Sequence, residues 1–189
     1  MRNKGLPFIL GSTESDGRED VAKGFRASLI AEVHKGNYNG IMAAGLVTTT
    51  YEGSGEYTSN FKGACVSGIG NLIDGHVKGA CAGGVGNIIL GDMDGVSLAG
   101  AFNFSEGLSG LSVGAINDTH ENSGSLVQIG LSNKVGDWYR KRGFVVQIGI
   151  YNRAEEQTIP LINIRGFKEL YLSLKEFLMP ADAEGGEKK

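Results

Sequence analysis

The chain is poor in the residues that most often carry chemistry or break up a fold: among 189 residues there are 3 prolines, 3 histidines, 2 cysteines and 1 tryptophan. With so few prolines, long stretches can give every backbone N–H to a hydrogen-bonded ladder. The histidines, His34, His76 and His120, are 42 and 44 residues apart, which fits neither a helical metal site nor a whole number of the repeats described below. A formal net charge of -3 and a pI near 5.6 leave no basic footprint for general nucleic-acid binding. No apolar run approaches the ~18 residues of a membrane-spanning helix. The segment Met1 to Leu10 has a basic front but too short an apolar stretch for a secretory signal. As written, the chain is expected in the cytoplasm, or at the cell envelope if it is a mature fragment. Nothing in these counts calls for a cofactor, a metal or a catalytic residue.

Glycine is what the chain has in excess, 31 residues, about twice the usual share. The glycines lie in a phrase written six times, each copy ending in asparagine: Asn71, Asn87, Asn103, Asn117, Asn133 and Asn152. Clear examples are Ala64-Cys-Val-Ser-Gly-Ile-Gly-Asn71, Ala80-Cys-Ala-Gly-Gly-Val-Gly-Asn87 and Leu126-Val-Gln-Ile-Gly-Leu-Ser-Asn133. Successive asparagines are 16, 16, 14, 16 and 19 residues apart. Repetition on this scale belongs to stacked architectures, in which each unit buries its apolar face only against its neighbours.

Within the phrases, apolar and small residues alternate with period two, as in half-buried strands. Counting back from each asparagine puts Ile69, Val85, Leu131 and Ile150 two residues before it, and Ser67, Val113, Ile129 and Ile148 four before it. These positions are expected to face inward, with Gln128 and Gln147 on the wet face. Gly68, Gly84, Gly100, Gly114, Gly130 and Gly149 lie three before the asparagine, where a missing side chain permits a bend or the close approach of another backbone. The asparagines themselves have two readings: an internal ladder of amides bonded from unit to unit, or corner residues with positive φ.

Cys65 and Cys81 occupy equivalent places in adjacent units. At a strand spacing of about 4.8 Å they are within disulfide reach. The same alignment puts Leu111, Val127 and Val146 in their column, which reads cysteine as a small buried hydrophobe. The Gly-x-Gly strings, such as Gly68-Ile-Gly70, open no helix and so fail as a phosphate-binding fingerprint. The linker Lys134 to Phe144 holds Trp138, Tyr139, Arg140 and Arg142, residue types that dominate binding interfaces. Either these four contact a partner, or the tryptophan covers the side of the stack.

The flanks read as caps. Residues 1–60 give an N-terminal cap that turns at Gly36 to Gly40 and a degenerate repeat with Thr48 in the asparagine position. Residues 61–157 are the repeats, 158–180 a terminal strand followed by an amphipathic helix from Phe167 to Leu178, and 181–189 a disordered tail.

The phrases Leu126-Val-Gln-Ile-Gly-Leu-Ser-Asn133 and Val145-Val-Gln-Ile-Gly-Ile-Tyr-Asn152 resemble the Gly-Leu-Gln-Ile-Gly-Leu-x-Asn repeat of the bacterial surface repeat-containing protein family. The flanks Gly40-Ile-Met-Ala-Ala-Gly45 and Ile159-Pro-Leu-Ile-Asn-Ile164 are similar to that family's as well. The resemblance implies tandem β repeats and export to the cell envelope, with no catalytic residues and no established activity. The first four units depart from it, with Val66, Ala82, Leu98 and Ser112 where the family has glutamine.

The sequence therefore predicts one all-β domain, a tandem-repeat β-solenoid of about 16-residue coils with a C-terminal capping helix. The alternative is an antiparallel β-meander or small barrel. The expected role is that of a non-enzymatic structural or protein-interaction repeat protein, associating with a protein partner or with itself. The rival is an oligomeric β-helix enzyme or metal-binding protein that uses histidine or cysteine at subunit contacts.

Overall fold

A computed structural model describes residues 8–9, 12–51, 60–137 and 143–166. Every regular element among them is a strand, and the strands wind into a β-solenoid of about seven coils of roughly 16 residues. Neighbouring coils pair in parallel, residue above residue: Asn71 opposite Asn87, Asn87 opposite Asn103, and Asn117 opposite Asn133. A meander or barrel needs antiparallel hairpins, and none occurs between coils, so that alternative is excluded. The expected capping helix from Phe167 onward lies outside the described residues.

The coils begin well before the first asparagine. Strand Ser12–Ser28 pairs in parallel with Ala31–Ala44, which in turn pairs with Val47–Tyr51 and Asn60–Ser67. Gly36 to Gly40, expected to turn the chain back on itself, is instead a bend inside the strand Ala31–Ala44. At the other end parallel stacking stops. The last coil, Val145–Gly149 and Tyr151–Ala154, is met by two antiparallel strands, Leu161–Arg165 and Gln157–Thr158.

Two stacks of glycine make the tight cross-section possible. Gly40, Gly63, Gly79, Gly95 and Gly110 all have φ between +133° and +153°. In the last four, a Cβ would fall 1.9–2.0 Å from the carbonyl oxygen of the glycine one coil below. At the opposite corner Gly68, Gly84, Gly130 and Gly149 have ordinary backbone angles but the same crowding, with a Cβ 2.0–2.1 Å from the preceding glycine's oxygen. Close backbone approach is therefore the reason for the glycine three before the asparagine in these units, whereas at Gly114 a Cβ would first meet the Asn103 amide, at 2.8 Å.

The lumen is apolar on one side. Tyr38, Phe61, Val77, Met93 and Leu108 form one in-register column, and Ile73 and Ile89 stand in another, all 2% exposed or less. No coil could bury these side chains alone, so removal from water at about 25 cal/mol per Å² of apolar surface is what joins one coil to the next.

Candidate functional site

The other side of the lumen is polar. All six asparagines are 4% exposed or less, and none has positive φ, so the corner-residue reading is wrong and the ladder is real. Asn71 donates to Asn87 (2.6 Å), Asn87 to Asn103 (2.9 Å), Asn103 to Asn117 (3.0 Å), Asn117 to Asn133 (2.8 Å) and Asn133 to Asn152 (2.8 Å). Thr48 donates into the same column from below. Ser97 and Ser112 donate to the Oδ1 of Asn103 and Asn117. At about 0.5–1.5 kcal/mol net per bond, the column is a structural rail with no side-chain atom left facing solvent.

The column that begins at Cys65 and Cys81 does not continue as Leu111, Val127 and Val146. It runs through Ser97, Ser112, Gln128, Gln147 and Asn163. The reason is a change in corner length: six residues separate Cys65 from Asn71, but five separate Gln128 from Asn133. Counting back from the asparagine therefore lands on opposite faces in the early and late units. Gln128 and Gln147, expected outside, are 0% exposed and form a second ladder, Asn163 to Gln147 (2.9 Å) and Gln147 to Gln128 (2.8 Å). Ile129 and Ile148, expected inside, are 39% and 42% exposed. Ile69, Val85, Leu131 and Ile150 lie outside as well, at the corner. Cys65 and Cys81 are buried free thiols with Sγ atoms 2.6 Å apart, and burial pushes the Cys65 thiol well up.

Turning the amides inward turns the aliphatic residues outward. The pairing register places Ala27, Ala43, Val66, Ala82, Leu98, Val113, Ile129, Ile148 and Ile162 in one outer column. A second outer column, two residues away along the strands, runs from Phe25 and Ile41 through Val96 and Val127 to Ile164. Neither column contains a polar or charged side chain. With Leu46, Ile69, Val85, Leu131 and Ile150 along the adjoining corner, they make one continuous apolar sheet face. Its C-terminal part is a shallow groove lined by Val113, Ile129, Leu131, Ile148, Ile150 and Leu161. Charges border the face on both sides: Lys23, Lys62, Lys78 and Asp94 stand in register along one border and Asp118, Lys134 and Arg153 along the other, with Lys78 paired to Asp94 (3.3 Å) and Lys134 to Asp118 (3.2 Å).

Four titratable groups, Arg26, Glu32, His34 and Tyr38, meet in the lumen of the early coils, and the other histidines stand apart from them. His34 lies in the lumen of an early coil, where its Nδ1 accepts from Arg26 (3.3 Å) and its Nε2 donates to the Asn37 carbonyl (3.1 Å). Arg26 also pairs with the buried Glu32 at 2.5 Å. Burial holds the His34 imidazole below its usual pKa and pushes the Tyr38 phenol up to about 12. His76 is outside, 3.6 Å from Asp92, and His120 is outside near Phe104 and Glu106. Among the described residues no group of three or more histidine, cysteine, aspartate or glutamate side chains is placed to hold a metal ion. Trp138, Tyr139, Arg140 and Arg142 fall between Asp137 and Gly143, outside the described residues. No helix among the described residues is long and apolar enough to cross a membrane. Comparison with protein-family models, curated proteins and solved structures found no match.

The apolar face is what sequence reasoning missed. Its signal was present as the period-two aliphatic pattern, but that pattern was assigned to the wrong side of the sheet.

Proposed function

We propose that this chain is a non-enzymatic repeat protein that acts as a structural or interaction scaffold, with the apolar sheet face as its protein-binding surface. The observation that carries this reading is the absence of any polar side chain from two outer columns of nine in-register residues each. A monomeric soluble protein rarely leaves so large an apolar patch open unless something binds there. A solenoid suits the task, because stacking coils builds a long flat surface from a short repeat. The linker residues Trp138, Tyr139, Arg140 and Arg142 are a second proposed contact, on residue type alone. The resemblance to surface repeat proteins supports a scaffold role and proposes the cell envelope as its place.

Photo-crosslinking from single positions in the native cell tests the reading. A crosslinker at Leu98, on the face, is expected to yield protein adducts, whereas one at Leu90, equally apolar but at a different corner and 56% exposed, is not. If Leu98 yields no protein adduct, or Leu90 yields the same ones, the face is not the binding surface.

A further inference from the structure

We infer that the protein covering this face is a second copy of the same chain, the two apolar sheets stacking face to face. This rests on the reading of the face as a protein-binding surface.

The first argument is size. Nine rungs at about 4.8 Å and roughly five residues of strand at about 3.3 Å give a footprint of roughly 600 Å² before side-chain relief is counted. A standard stable interface buries about 800 Å² per partner. The face is therefore of the right order to hold a dimer without help from another surface.

The second argument is shape. The face is corrugated by the spacing of its strands, with Leu98, Val113, Ile129 and Ile148 standing on successive rungs. A matching partner must be flat, apolar and corrugated at the same period over the same length. A second stack of parallel strands meets that description, and every folded molecule of this chain carries one. Packed sheets then lie about 10 Å apart with their side chains interdigitated.

Charge bears on the rim of that stack and not on its core. The borders carry more cations than carboxylates, with Lys23, Lys62, Lys78 and Asp94 in register on one side and Asp118, Lys134 and Arg153 on the other. The dimer is therefore held by the apolar columns, and added salt screens the repulsion between its like-charged rims.

Light scattering and sedimentation equilibrium on the full chain decide the matter. The expected species has twice the 19.9 kDa of one chain at micromolar concentration. Leu98→Lys together with Ile129→Lys is expected to raise the dissociation constant at least 100-fold and leave a folded monomer by circular dichroism. Both sites are about two-fifths exposed, at 42% and 39%. Leu98→Ser with Ile129→Ser, which adds no charge, should weaken the dimer in the same direction. Leu90→Lys should leave it intact.

A wild-type chain that stays monomeric at 100-fold higher concentration overturns the dimer. So does a dimer that survives both face variants. A monomer in which those variants lower the melting temperature would mean that residues 167–189 cover the face from within. A monomer that floats with neutral phosphatidylcholine vesicles, and loses that property in the variants, would mean that the face meets lipid. Failure of the dimer leaves the scaffold reading standing if the Leu98 crosslinker still captures a different protein, and removes it if no protein is captured.

Discussion

Asn117 donates to Asn133 across a coil boundary at 2.8 Å while its own Oδ1 accepts from Asn103 and from Ser112. Its Nδ2 also reaches the carbonyl oxygens of Gly114 and Ile129. One amide thus holds three coils together and leaves no polar atom of its own unpaired.

Truncating this rung leaves several buried groups without partners. Asn117→Ala is expected to cost about 3 kcal/mol or more, given about 1–3 kcal/mol for each buried polar group left unsatisfied. Asn152→Ala, which breaks the bond from Asn133 and the bond to the Gly149 carbonyl, should cost less. Urea titrations of the two variants check the order. Asn117→Gly should not recover the loss, because the asparagine is not in the left-handed region.

A second expectation concerns Gln128, which is fully buried and donates to Thr119 and to the Lys134 carbonyl. Gln128→Glu keeps the shape but places a carboxylate in the lumen, where desolvation raises its pKa above the unfolded value of about 4.3. A raised carboxyl pKa means that stability is retained below about pH 4.3 and lost as the pH rises through the folded value. The difference in urea midpoint between variant and wild type should therefore be larger at pH 7 than at pH 4. Equal differences at both pH values would place residue 128 outside the lumen.

His34 gives the opposite slope. Its imidazole is held below the ordinary value, first by burial and secondarily by Arg26. The unfolded histidine takes up a proton near pH 6.5, which the folded chain resists. Stability from this group is complete above about pH 6.5 and declines as the pH falls below it. Between pH 7 and pH 5 the wild-type melting temperature should drop by more than that of His34→Gln. Parallel curves would show that the imidazole titrates normally.

The glycine stack offers an internal control. Gly79 and Gly24 both have strongly positive φ, +141° and +128°, but a Cβ at Gly79 would strike the Gly63 oxygen at 1.9 Å while one at Gly24 would meet nothing within 4 Å. Gly24→Ala should cost only the backbone strain, about 1–3 kcal/mol. Gly79→Ala must also push two coils apart and is expected to abolish the cooperative thermal transition. Similar melting temperatures for the two variants would show that the coils are spaced more loosely than described.

The sequence made the repeat legible because asparagine is chemically unambiguous and recurs at nearly constant spacing, so the solenoid and its coil length could be read from Asn71 to Asn152, while the asparagine column itself stayed open between a ladder and a corner. The parity could not be read in the same way. Period two shows which residues share a face, but the choice of the buried face rests on the habit that aliphatic residues go inside. Here Gln128 and Gln147 are inside and Ile129 and Ile148 outside. The one-residue shortening of the corner between Ser112 and Asn117 leaves no gap in the phrase, so it displaced the alignment unnoticed. The second glycine column, Gly63, Gly79 and Gly95, recurs every 16 residues and was available as an independent marker of register.

Because like stands on like from coil to coil, length is a free variable of this molecule. Removing Asn87 through Phe102, 16 residues, would join Gly86 to Asn103 and set Asn71 directly beneath Asn103, with the same corner and the same column of amides. The protein would shorten by one strand spacing, about 4.8 Å, and otherwise keep its cross-section. Duplicating the same stretch would lengthen it by the same step. A gene built this way behaves as an adjustable ruler: unequal recombination within it yields molecules that differ in reach while their two ends stay as they are.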